Sequence, residues 1–170
     1  MRFVGISIMA AAVLALGFRY SLNARKRIRN LRLMQTVLRM LKGEIGFSGR
    51  VLEEAFDDIS RRVEEPFSEF FAGISRKMQN RKGDGLAQLW QESEDAFQGS
   101  GLKKEDLELF RKLGSELGFL DVDMQLRTLE LLEVQVKESV EHLEKNCEAS
   151  CRMYQSLGIL GALTVIVVML

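Results

Sequence analysis

Two long stretches without a single charge, one at each end of the chain, constrain its fold more than any other feature. Residues 3–18 are sixteen uncharged positions between Arg2 and Arg19, and residues 153–170 are eighteen more after Arg152. At about 1.5 Å of rise per residue, helices of these lengths reach roughly 24 and 27 Å, a little short of the roughly 30 Å hydrocarbon core of a bilayer. Arg2, Arg19 and Arg152 can stretch their charged heads to the interface, and Tyr20 and Tyr154 suit the same level, which covers the shortfall. Both segments therefore predict transmembrane helices, over 1–20 and 153–170. A cleaved signal peptide competes for the first. Against it stand a lone Arg in the leading region and no small-x-small cleavage site before the basic run Arg25-Lys26-Arg27-Ile28-Arg29. A buried core helix competes for the second.

Charge sets the orientation. The 170 residues hold 24 basic and 24 acidic side chains, and the zero sum hides a division. Residues 1–50 carry ten Lys and Arg against the single acid Glu44, a net of +9, and residues 51–170 carry the balancing −9. Only Arg2 lies before the first apolar segment, whereas Arg19, Arg25, Lys26, Arg27, Arg29 and Arg32 crowd its other flank. The positive-inside bias thus predicts a cytoplasmic domain over 21–152, held to the membrane at both ends. A single Pro, Pro66, and no Pro/Ser-rich run exclude a collagen-like or disordered chain, and two Cys exclude a disulfide scaffold.

The interior reads as all-α, a cytoplasmic helical bundle of about six helices. No sustained period-2 alternation occurs, and Leu31, Met34, Leu38, Leu41 and Ile45 step 3, 4, 3, 4 along a helix that Gly43, Gly46 and Gly49 are expected to break. A second helix is expected near Val51–Arg62, and Pro66 suits the first turn of a third ending near Gln79. The turn Asn80–Gly85 follows, with Asp84 as a cap for a fourth helix through Phe97, and Ser100 as a cap for a fifth over Leu102–Leu117. Gly118 suits a left-handed C-terminal cap, and Asp121 or Asp123 the next N-cap. From Val122 an apolar stripe runs through Leu126, Leu129, Leu132, Val136, Val140, Leu143, Cys147, Cys151 and Tyr154 at a period of about 3.6. The pairs Glu133–Lys137, Glu141–Lys145 and Glu148–Arg152 line its other face. One helix of about 48 residues would join domain to membrane without a hinge.

Candidate chemistry is sparse. Cys147, Cys151 and His142 lack a fourth ligand, so small core cysteines and a surface histidine are the better reading, and no metal or other cofactor is expected. No phosphate-cradling glycine loop, H-E-x-x-H or Ser/His/Asp set is present, so catalysis has no constellation to rest on. Glu53, Glu54, Asp57 and Asp58 form a dense acidic patch that could receive a basic partner or be a solvated helix face. Arg25, Lys26, Arg27, Arg29 and Arg32 lie too near a span to argue for nucleic acid, and read instead as setting topology and meeting anionic lipid. Phe47, Phe56, Phe67, Phe70, Phe71, Trp90, Phe97, Phe110 and Phe119 are spread over every helix and make the expected core. Gly114 costs about 1 kcal/mol inside a helix. It therefore points to a close helix–helix approach, within the domain or at a partner.

These elements follow a recognisable order. A short apolar segment and basic flank precede Leu41-x-x-Glu44-Ile45-x-Phe47 and Leu52-x-Glu54-Ala55. Then come Trp90, Leu102-x-x-Glu105-Asp106, and Leu113-Gly114-x-x-Leu117-Gly118-x-x-Asp121-x-x-x-Gln125. The pattern resembles the stage III sporulation protein AB family of endospore-forming bacteria over essentially the full length, with Glu44, Ile45, Asp106, Gly114, Gly118, Asp121 and Gln125 as motif residues. That family's soluble region is similar to the cytoplasmic domain of the type II secretion F protein. Val51 stands where the family often has Pro. The resemblance implies a component of the mother cell–forespore channel in the mother-cell-side (outer forespore) membrane. Its middle domain would meet a cognate secretion-type ATPase, and its helices the other channel membrane proteins. Type II F proteins carry two such domains and this chain has one, so a homo-oligomer is a further expectation. The alternative is a membrane scaffold or interaction protein outside secretion.

Overall fold

The computed structural model describes the backbone over 2–48, 51–80, 85–118 and 121–169, and side chains over 22–46, 51–80, 85–118 and 121–147. Six α-helices account for the described chain: α1 (Arg2–Gly43), α2 (Leu52–Arg62), α3 (Phe67–Asn80), α4 (Leu86–Glu92), α5 (Lys104–Leu117) and α6 (Val122–Met169). A π-helical turn, Glu44–Ser48, follows α1, and a 3₁₀ turn, Glu94–Phe97, follows α4. Among the described residues there is no strand. Two compact units emerge, Met1–Arg25 with Glu141–Leu170, and Lys26–Val140.

In the first unit the described backbone is helical. The expected spans, 1–20 and 153–170, lie outside the residues whose side chains are described. Among those that are described, no helix is long and apolar enough to cross a membrane. His142 is exposed, as a surface histidine should be, with Asn146 Nδ2 3.2 Å from its Nδ1.

The second unit is built on the stripes read from the sequence. Leu31, Met34, Leu38 and Leu41 of α1 are buried with Val37, and Leu129, Leu132, Val136 and Val140 of α6 are buried likewise. In the same unit α2 packs against α3, and α4 against α5. Rings fill the centre. Phe70 lies 4.9 Å from Trp90 and 5.2 Å from Phe110 between ring centroids, and Phe67 lies 5.1 Å from Phe97 in an edge-to-face arrangement. Such pairs add about 0.5–1.5 kcal/mol each beyond the area they bury. Phe47 and Phe119, expected in the same core, lie outside the described side chains.

Several boundaries differ from the sequence reading, each for a local reason. Gly43 does not stop the helical path. It hands over to the π-helical turn, whose Gly46 lies close enough to α6 that a Cβ there would meet Leu126 at 3.5 Å. The fourth helix ends at Glu92, because the Ser93 hydroxyl donates to the Leu89 carbonyl at 2.8 Å and the chain tightens to 3₁₀ geometry. Its expected cap, Asp84, lies outside the described residues. Ser100 does not cap α5: its Oγ accepts from the Leu102 amide, while the Lys103 amide donates to Asp106 at 2.8 Å, which fixes the first turn. Gly118 is right-handed, φ −81° and ψ −17°, so it is not a left-handed cap. Its missing side chain matters for packing instead, since a Cβ would stand 3.4 Å from Leu86 Cβ. Val122 opens α6 exposed rather than on the core stripe. Glu133 also accepts from Arg39 across the unit at 2.8 Å.

Candidate functional site

The acidic face grows from the pattern of α2. Ala55, Phe56 and Ile59 turn inward and are buried, which leaves Glu53, Glu54, Asp57 and Asp58 on the outer side of an 11-residue helix. The four acids and Gln79 of α3 line one open polar groove of about 270 Å³. Asp57 accepts from Arg61 at 2.8 Å and Asp58 pairs with Arg62 at 3.5 Å, each one turn on. Exposed pairs of this kind are worth a few tenths of a kcal/mol, so a cationic partner can compete for the carboxylates. Carboxylates with glutamine and no nucleophile can bind a basic surface, and offer little else. Among the described residues, no group of three or more His, Cys, Asp and Glu could hold a metal ion.

Gly114 resolves differently. A Cβ at this position would lie 2.3 Å from both Cγ and Cδ2 of Trp90, so the glycine admits the indole against α5. The close approach is within the domain, and Gly114 is buried there. Trp90 is itself fully buried, and its Nε1 is the one buried side-chain nitrogen or oxygen without a hydrogen-bond partner among the described residues.

The remaining motif residues hold the unit together. Asp106 is buried, and its carboxylate accepts from Arg27 Nε at 2.7 Å and Arg27 Nη2 at 2.8 Å, a bidentate pair that joins α1 to α5. Asp121 Oδ1 accepts from the Met124 amide at 2.9 Å and caps α6. Gln125 Nε2 donates to the Leu117 carbonyl at 2.8 Å, which satisfies the C-terminus of α5 from the first turn of α6. Glu44 and Ile45 are half-buried in the π-helical turn.

The basic run divides. Arg25, Lys26, Arg29 and Arg32 are exposed, whereas the Arg27 side chain is 15% exposed and committed to Asp106. Reading the sequence missed this pairing, although a signal existed. Arg27 lies four residues before Leu31 and so continues the buried stripe, where a charge requires a partner. Lys26 Nζ donates to the Gly99 carbonyl at 2.6 Å, and Asn30 Nδ2 to the Ser100 carbonyl at 2.6 Å. The loop between Phe97 and Lys104 reaches α1 through two glycines at positive φ, Gly99 at 70° and Gly101 at 82°. Midway along α5, Arg111 is held above the ordinary guanidinium value, first by its hydrogen bonds to Glu94 and then by that residue's charge.

Comparison with known proteins gives three results. A family model described as Stage III sporulation protein AB matches residues 2–170. The chain is 23% identical over 171 residues to the Stage III sporulation protein AB of Bacillus subtilis (strain 168), covering all of this chain and 99% of that one. It is also similar to a solved structure titled Stage III sporulation protein AB (SpoIIIAB), with a TM-score of 0.65 and 23% identity, over 72% of this chain and 97% of the other.

Proposed function

The chain belongs to the stage III sporulation protein AB family, and from that premise we propose that it is a non-enzymatic membrane platform of the mother cell–forespore channel. Its role in sporulation follows from the family and the full-length relative. The finer reading couples a cytoplasmic secretion-type ATPase to the channel's membrane proteins, from the mother-cell-side membrane with the middle domain in the mother-cell cytoplasm. One observation carries it. Both terminal helices, α1 and α6, supply core side chains to the Lys26–Val140 unit, and both continue unbroken into the uncharged ends of the chain. A load applied to the unit would therefore bear on α1 and α6 without a flexible linker between.

The acidic face of α2 is the surface we assign to the ATPase. The test is co-purification of the full chain with the cognate ATPase from sporulating cells, compared with a variant carrying E53K, E54K, D57K and D58K. Wild-type capture with at least a tenfold loss in the variant is the expected result. Undiminished capture by the variant would reject the face, and no capture by the wild type would reject the coupling. A middle domain accessible from the non-cytoplasmic side would overturn the topology.

A further inference from the structure

α1 carries no acidic residue along its 42 residues, and within the Lys26–Val140 unit it turns Lys26, Arg29, Arg32 and Thr36 outward. Arg29, Arg32, Leu33 and Thr36 form one wall of an open groove of about 320 Å³, and Glu64 faces them. Arg29 pairs with Glu64, but the two side chains are 66% and 68% exposed, so water already competes with this contact. Arg27, the third base of the run, is spent inside on Asp106. What remains outside is a polar groove with a basic wall and one weakly held acid.

We propose that this face binds the phosphate headgroups of anionic phospholipids in the cytoplasmic leaflet, Arg29 exchanging Glu64 for a lipid phosphate. The inference rests on the membrane-anchored reading above. The first apolar segment, with Arg19 and Tyr20 at the interface, puts the inner boundary near Tyr20. Lys26, Arg29 and Arg32 then follow the boundary by about 9, 14 and 18 Å along α1. The headgroup layer is about 5–8 Å thick, and side chains on a helix lean toward its N-terminus, here back toward the lipid. Lys26 and Arg29 reach the phosphates directly, and Arg32 stays within a screening length of about 8 Å. Arg39 and Lys42, further along the same helix, lie about 28 and 33 Å past the boundary and take no part.

Native mass spectrometry of the full chain, released from micelles doped with equal phosphatidylglycerol and phosphatidylcholine, tests the assignment. Each base near the surface favours anionic lipid about fivefold, so wild type should retain phosphatidylglycerol over phosphatidylcholine by about tenfold or more. K26Q/R29Q/R32Q should lower that preference at least about fivefold, Arg19 and Arg25 being left in place. E64Q should raise phosphatidylglycerol retention, since it removes the competing acid, and R39Q/K42Q should leave it unchanged. Parity in wild type, an equal loss in R39Q/K42Q, or no gain in E64Q would overturn the proposal. So would displacement of the lipid by millimolar inorganic phosphate, because the groove would then be a site for free phosphate. Fractionation separates the two readings: a chain found outside the membrane fraction fails the anchored reading itself. A chain that stays in membranes without lipid preference fails this inference alone.

Discussion

Gly114→Ala offers the sharpest test of how the core is assembled, because two physical effects oppose one another at one methyl group. On helix propensity alone the change should stabilise, since an interior helical glycine costs about 1 kcal/mol relative to alanine. Packing says the reverse. The new Cβ would lie 2.3 Å from Trp90 Cγ and Cδ2 and 2.8 Å from Cδ1, more than an ångström inside ordinary contact. The indole cannot swing away, for its centroid is 4.9 Å from those of Phe70 and Phe110 and 6.0 Å from those of Phe56 and Phe71. Overpacking a filled core costs about 1–3 kcal/mol, and the rigidity of this neighbour puts the change at the upper end. Set against the propensity gain, the net loss is about 2 kcal/mol, or roughly 8 °C in melting temperature for a domain of this size. Thermal unfolding of the full chain in detergent, followed by circular dichroism at 222 nm, reads this directly. Gly118→Ala is the internal comparison: its backbone is right-handed and its Cβ would meet Leu86 Cβ at 3.4 Å, so the change should move the midpoint little. A Gly114→Ala protein as stable as wild type, or more so, would refute the packing account and return Gly114 to the surface of a partner.

Asp106→Asn should destabilise the unit by about 3 kcal/mol, because removing one member of a buried pair leaves the other charge uncompensated; a loss below about 1 kcal/mol in denaturant unfolding would show that Arg27 reaches water. Trp90→Phe should cost less than about 1 kcal/mol despite the smaller ring, since it also removes a buried N–H that has no acceptor. A loss as large as a typical cavity mutation, near 3 kcal/mol, would mean the indole nitrogen is satisfied. Asp121→Ala should remove the α6 cap and lower stability by about 1 kcal/mol, with faster amide exchange at Met124; unchanged exchange there would exclude the cap.

Periodicity made the architecture legible and left the polar contacts dark. The stripes of α1 and α6 could be read because 3, 4, 3, 4 spacing is a local property of a helix. Leu31, Met34, Leu38 and Leu41 are buried as the spacing selected, as are Leu129, Leu132, Val136 and Val140, while Val37 is buried off the stripe and Val122 is exposed on it. Gly114 was legible as a close approach, but not its partner, since Trp90 is brought to it by the pairing of α4 with α5. Arg27 was hidden among four other bases, although its register placed it inside. Gly118 was read as a conformational glycine from its position at a helix end, and proved to be a packing one because Leu86 approaches from a different helix. The acids of α2 could be seen as a patch in the sequence, yet Gln79 on the same groove could not.

The contacts between α1 and α6 have a consequence for the birth of the protein. Arg39 meets Glu133 and Lys42 meets Glu130, partners separated by 94 and 88 residues. While the ribosome is still making α5, the apolar side of α1 has no α6 to lie against. Closure waits until Val140 has cleared the exit tunnel. Synthesis thus imposes an order, with α1 emerging first and the domain completed last. A chain truncated before Asp121 would lack Glu133 and Glu130, the partners of Arg39 and Lys42, and the buried Leu129, Leu132, Val136 and Val140, and become a substrate for proteolysis.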